Sequence, residues 1–445
     1  MANGVAQIRR SVMTLALPVT VSSLLQRTEG IVAVFLVGGL GAIPIAAVGL
    51  GQLLAFLATN VVSGLSVGTN VIIAQQWGAR RYEEAGQASR HFLGLSIFVS
   101  FALALLGLSA NGLIMQLLGA QPEVIALALP YSNLIFLVIP FTVLLAVLSS
   151  ILQGTGDTKT PMYAMIMGNV LHIAIAYLLI YGQWGLPAFG VKGAAVAVGI
   201  AEATGSVYLF SRCRTILKPS KRLRRDLLRT IWQVGAPVSG ERIVQQAGIL
   251  LYTKIVLIYG TVSYAAHQVG LSIESLSFLP GYGFAIAAAT MVGQSIGAGK
   301  YTRAKLENWE ANRLATFIMS AMGIVFFFFP YALLRAFTSD EAVIELGTTF
   351  LKIVALLQVP LALTMVLAGS LRGAGDTRFI MIATMIGMWG VRIPIAFVAG
   401  YWLTMGVFYV WLAMIADWTL RMALMLWRYR SERWKSIRVL RSSTT

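Results

Sequence analysis

The sequence predicts an all-α membrane protein: twelve transmembrane helices in two six-helix bundles related by a pseudo-two-fold axis. Three observations carry this prediction. Only 11% of the 445 residues are charged, whereas a soluble domain carries about a quarter. Apolar stretches such as Phe92 to Leu108, Leu314 to Leu334 and Phe379 to Leu403 each supply about the 20 residues that cross roughly 30 Å of hydrocarbon as a helix. Residues also recur at one fixed offset: Pro18 with Pro237 (237 − 18 = 219), then Gln75 with Gln294, Tyr82 with Tyr301, and Gly154 through Thr158 with Gly373 through Thr377. A register held across so much of each half marks a tandem repeat.

Taken in order, the spans fall at 11–37, 45–74, 91–117, 124–152, 161–182 and 191–213, then at 231–259, 263–292, 308–333, 343–371, 378–400 and 403–427. The first stretch is too long for a cleaved signal peptide and reads as span one. The expected division is an N-lobe at 1–213, a cytoplasmic linker at 214–230, a C-lobe at 231–427 and a basic cytoplasmic tail at 428–445. An even number of spans per copy gives both copies one orientation, with their symmetry axis along the membrane normal. Two such bundles rocking about a shared cavity give alternating access.

The net charge of +17 is topological. Its basic residues gather at Arg9 and Arg10, around Arg80 and Arg81, from Lys218 to Arg229, at Lys300 to Lys305, and from Arg428 to Arg441. With twelve spans all of these fall on one side, so a multi-pass plasma-membrane protein with both termini cytoplasmic is expected. Membrane lipids are then expected partners, nucleic acid is not, and the expected assembly is a monomer. A lone Cys213 leaves no internal disulfide. Three histidines and one cysteine offer neither a metal-ligand spacing nor a catalytic constellation, so no enzyme, metal or bound cofactor is expected.

The paired local motifs are Gly78-Ala-Arg-Arg-Tyr82 with Gly297-Ala-Gly-Lys-Tyr301, and Gly154-Thr-Gly-Asp-Thr158 with Gly373-Ala-Gly-Asp-Thr377. In the second pair the glycines permit a tight turn, and Asp157 or Asp376 can cap the helix that follows. Together with Leu15 to Pro18 and the run from Ala265 to Pro280, these motifs resemble the multidrug and toxic compound extrusion (MATE) family. The resemblance implies a V-shaped pair of lobes that exports amphipathic, mostly cationic organic compounds in exchange for protons or sodium.

The family's coupling residues do not carry over. Where many members have an Asp in span one, this chain reads Val32-Ala-Val-Phe-Leu-Val-Gly38, so Ala33 stands at that place. In span five His172-Ile-Ala-Ile-Ala176 replaces an Asn and Asp pattern, and Gln245 and Leu361 match the acidic positions of sodium-coupled members. Other ionisable groups at membrane depth become the candidates, because burying them is costly.

Glu29 lies one turn before Ala33 on the same helix face and is the candidate replacement, with His172 as a titratable partner. The alternatives are a Glu29 held by Arg27 or another basic group and a His172 that only packs. Glu241 and Glu274 are the corresponding ion-coupling candidates of the C-lobe, unless Arg242, Lys254 or Arg392 neutralises them. Gln245, Met165, Met385 and His267 are candidates for substrate contact, since flexible thioethers suit varied apolar ligands. Methionine on a buried span more often serves packing, and His267 alone reads as structural. Glu202, Asp417 and Arg421 read as residues near span ends or in outer helices, held by snorkelling or local pairing. The expected activity is proton-driven export of organic cations. A flippase for lipid-linked glycans is the alternative, and it would need several Arg or Lys in its cavity.

Overall fold

The computed structural model describes residues 2–185, 187–217, 225–403 and 405–437. Parts of two expected segments, 218–224 of the linker and 438–445 of the tail, lie outside the described residues. The first six helices are α1 (Ala2–Gly38), α2 (Ala42–Gly78), α3 (Tyr82–Leu117), α4 (Pro122–Thr155), α5 (Lys159–Tyr181) and α6 (Val191–Cys213). Then follow α7 (Arg225–Leu257), α8 (Thr261–Gly297), α9 (Tyr301–Phe328), the short α10 (Pro330–Arg335) and α11 (Glu341–Gly373). The next span is composite: α12 (Thr377–Met385), a π-helical turn (Ile386–Arg392), α13 (Ile393–Phe397) and a second π turn (Val398–Trp402). Last comes α14 (Val407–Arg430).

Among the described residues, 11 helices are long and apolar enough to cross a membrane. The twelfth, α7, is 33 residues long but carries Arg229, Glu241, Arg242 and Lys254, which is why composition alone does not single it out. The fold is therefore the all-α, twelve-span architecture that the sequence predicts.

The compact units do not follow the sequence halves. One unit comprises Met1–Thr20 with Gly240–Thr445, and the other Val21–Ser239. Both α1 and α7 thus change unit partway along their length. The two crossings lie at equivalent points of the repeat, just after Pro18 and Pro237, each of which interrupts its helix's hydrogen-bond ladder.

Glycines at matched positions hold the exchanged segments. A Cβ on Gly64 of α2 would collide with the Gly235 carbonyl and the Ser239 side chain of α7. A Cβ on Gly283 of α8, at the same register one repeat later, would collide with the Ala16 carbonyl and the Thr20 side chain of α1. Only glycine allows two helix backbones to approach this closely. The first 20 residues accordingly bury Val12 and Ala16 against Phe284, Ala287 and Ala288.

The turn motifs adopt the expected left-handed glycines, with Gly156 at φ 97° and Gly375 at φ 90°. Their aspartates diverge. Asp157 accepts the Thr160 backbone N–H at 3.0 Å and its hydroxyl at 2.6 Å, closing the first turn of α5. Asp376 makes no capping bond and instead accepts from Arg428 Nε of α14 at 2.6 Å. The capping expected of Asp376 is thus replaced by an ion pair between helices.

Candidate functional site

The unit spanning Val21–Ser239 holds the N-lobe candidates. Glu29 of α1 is half-buried, while Arg27 is exposed, and no ion pair joins them among the described residues. Its electrostatic partners are Glu202 of α6 and the Tyr131 hydroxyl of α4. Gln52 of α2 lies against that hydroxyl and donates to the Gly30 carbonyl at 3.5 Å. Gly51 makes room for the Tyr131 ring, since a Cβ there would lie 2.5 Å from it. Ala33, one turn after Glu29 on α1, is buried at 1% exposure.

His172 of α5 is completely covered, and neither ring nitrogen has a hydrogen-bond partner. The structure therefore brings Glu202, not His172, into electrostatic range of Glu29. Glu202 is the twelfth of the 23 residues of α6, which corrects its placement near a span end. One of its carboxylate oxygens is buried without a partner. A fixed spacing along one helix could not reveal this meeting, because residues 29 and 202 come together only through tertiary packing.

The C-lobe candidates lie in the unit that contains Gly240–Thr445, and there the carboxylates are paired. Both oxygens of Glu241 accept from Arg372 Nη2 at 2.8 Å, and Thr384 adds a bond at 3.4 Å. The neutralising group for Glu241 is none of the sequence candidates Arg242, Lys254 and Arg392, but Arg372, at the C-terminal end of α11. Asp417, fully buried in mid-α14, accepts two bonds from Arg421, at 2.5 and 3.0 Å. Arg392 of the first π turn places Nε 2.8 Å from the same carboxylate. Asp417 and Arg421 are thus a local pair, as expected, but at mid-span instead of a span end.

Glu274 of α8 is 2% exposed and lies within electrostatic range of Arg392. His267, two turns earlier on α8, sits among Tyr252, Phe350 and Trp411, with ring centroids 5.7, 5.3 and 6.5 Å away. Its surroundings are those of a packed core ring.

The remaining candidates are scattered. Gln245 is half-buried on α7, Met165 is half-buried on α5, and Met385 is exposed at the end of α12. No described contact unites them.

Comparison with known proteins agrees with the repeat. The MatE family model matches the chain twice, over residues 18–178 and 237–398. The two matches begin 219 residues apart (237 − 18), the offset of the internal repeat. A "Probable multidrug resistance protein NorM" of Thermotoga maritima is 32% identical over 445 residues, covering 98% of this chain and 95% of that protein. The multidrug resistance protein MdtK of Yersinia pseudotuberculosis is 26% identical over 439 residues, covering 95% of each.

Among solved structures, a MATE transporter in its bent conformation superposes with a TM-score of 0.89 at 23% identity, covering 97% of this chain and 98% of that one. A MOP-superfamily transporter from Pyrococcus furiosus gives 0.88 at 24% identity, covering 96% and 97%. The doubled family match and the whole-length relatives, with the shared fold, place this chain in the MATE family of multidrug transporters.

Proposed function

We propose that the chain is a proton-driven antiporter that exports amphipathic, mostly cationic organic compounds by alternating access, in a plasma membrane with both termini cytoplasmic. The observation that supports this reading best is the meeting of Glu29 and Glu202 inside one membrane-embedded unit, with no basic partner among the described residues. Two carboxylates in mutual range cannot both ionise cheaply in a medium of low dielectric. Such a pair holds a proton in one state and offers a negative charge to a cation in the other. Competition between proton and cationic substrate for one charge is the basis of antiport.

A glycan-lipid flippase is the second reading, because the unit that contains Gly240–Thr445 holds two buried arginines, Arg392 and Arg421, and a half-buried one, Arg372. Each of them already faces a carboxylate: Arg372 faces Glu241, and Arg392 and Arg421 face Asp417. Arginines committed in this way are poor ligands for a pyrophosphate.

The antiport reading predicts that a lipophilic fluorescent cation added to the purified protein in weakly buffered detergent releases protons. Glu29→Gln abolishes that release while the protein keeps its unfolding temperature. Proton release undiminished in Glu29→Gln would remove Glu29 from the coupling site.

A further inference from the structure

The contact between Arg392 and Asp417 is unusual for a buried ion pair. The guanidinium is 7% exposed, and its Nε, though 2.8 Å from Asp417 Oδ2, lacks hydrogen-bond alignment and has no other partner. No hydrogen bond from Arg392 is found among the described residues. Both Asp417 oxygens are meanwhile occupied by Arg421 with good geometry. Arg392 is thus the second claimant on a carboxylate that is already satisfied, although a buried guanidinium normally fills its five donors. The buried carboxylate of Glu274 on α8 also lies within its electrostatic range.

The backbone around Arg392 is equally unusual. Arg392 ends the π turn Ile386–Arg392, Pro394 follows it, and a second π turn begins at Val398. Single π turns concentrate at functional sites. Gly387 in the first turn faces Asp417 and Arg421, and a Cβ there would collide with both. This close approach brings the first π turn onto the ion pair. A π turn carries i→i+5 bonds in place of i→i+4, so its conversion to α geometry would turn Arg392 relative to α14.

We propose that Arg392 is a two-position switch, resting on Asp417 while Glu274 is protonated and moving to Glu274 when that carboxyl is ionised. The proton passes between Glu274 and water, and the arginines stay charged throughout. With Glu274 protonated, the group formed by Arg392, Arg421, Asp417 and Glu274 carries one net positive charge. With Glu274 ionised it is neutral. The observed position of Arg392, on Asp417, corresponds to the protonated state.

The other groups facing this site leave the assignment with Glu274. On α7, Glu241 is held by Arg372 of α11, and the Tyr252 hydroxyl donates to the Val410 carbonyl at 2.9 Å, with Arg392 5.5 Å above its ring. On α8, His267 is enclosed by aromatic rings. On α9, Glu307 and Glu310 pair with Arg303, Arg9 and Arg313. On α14, Asp417 is held by Arg421. This site makes Arg392 a positioning residue, and its transport role rests on the antiport reading above.

The test is an infrared pH titration of the full-length protein in lipid nanodiscs without substrate, reading the carbonyl band of protonated carboxyls. Glu274→Gln should remove one titrating component. Loss of a nearby positive charge disfavours the ionised form, so Arg392→Gln should move that component to higher pH by at least about one unit, tenfold in proton affinity. Asp417→Asn frees Arg392 for Glu274 and should move it to lower pH by a similar amount. Arg392→Gln leaves the Asp417–Arg421 pair intact, which favours folding, and Arg392→Lys should titrate close to the parent.

Opposite shifts in the two single variants, with Asp417→Asn causing no further shift in an Arg392→Gln background, establish the switch; a shift that persists in that background is the direct effect of a fixed Asp417 charge and overturns it. An unmoved component, shifts of the same sign, or an Arg392→Lys that titrates like Arg392→Gln overturns it. A parent that titrates as described yet drives no efflux would defeat the antiport reading and leave the switch standing.

Discussion

Glu29 and Arg421 show how position along a helix misleads when read alone. Glu29 was legible as a carboxylate one turn from Ala33. Its companion Glu202 was not, because nothing local distinguishes a mid-span glutamate facing a second carboxylate from one near the membrane surface. Asp417 and Arg421 were legible as an i, i+4 pair, but Arg392 and Arg372 find their partners across 25 and 131 residues of chain. Asp417 balances two guanidinium groups, so Asp417→Ala leaves both buried without their shared counter-ion. Breaking such a group costs about 3–5 kcal/mol, and a clear fall in thermal unfolding temperature in detergent is expected. An unchanged unfolding temperature would mean that water reaches these arginines.

At the scale of elements, helix existence and order follow from apolar length, and the repeat offset assigns equivalent positions without any coordinates. The exchange of the first halves of α1 and α7 between units left a weaker trace. Pro18 and Pro237 mark where those helices can deviate, but the glycines that receive them, Gly64 and Gly283, are distant in sequence and acquire meaning only through contact. Valine at either position forces two backbones apart, and overpacking of this kind costs about 1–3 kcal/mol. Gly64→Val and Gly283→Val should therefore lower the unfolding temperature by similar amounts, since they occupy the same register. A large effect at one site alone would contradict their equivalence. The turns offer a gentler comparison. Arg80 adopts a left-handed φ of 59°, and its repeat equivalent Gly299 has 71°. Arg80→Gly should raise stability by up to about 1 kcal/mol by relieving that strain, readable as a small rise in unfolding temperature.

For the whole molecule, the proposed topology rests on charge distribution and the proposed energy source on the half-buried carboxylates of Glu29 and Glu202. The proposed orientation, read from the positive-inside pattern, has the C-terminal tail in the cytoplasm. A cysteine introduced at Ser442 should react with a membrane-impermeant maleimide in inverted vesicles and stay unlabelled in right-side-out ones. The native Cys213 is buried and should contribute little background. The central claim is that protons, not sodium, drive export through the carboxylate pair at Glu29 and Glu202. Its most direct test is efflux of a lipophilic fluorescent cation from proteoliposomes under an imposed proton or sodium gradient, comparing the parent with Glu29→Gln and Glu202→Gln. The account predicts efflux with the proton gradient alone and its loss in Glu29→Gln; efflux driven by sodium, or a Glu29→Gln protein as active as the parent, would contradict it.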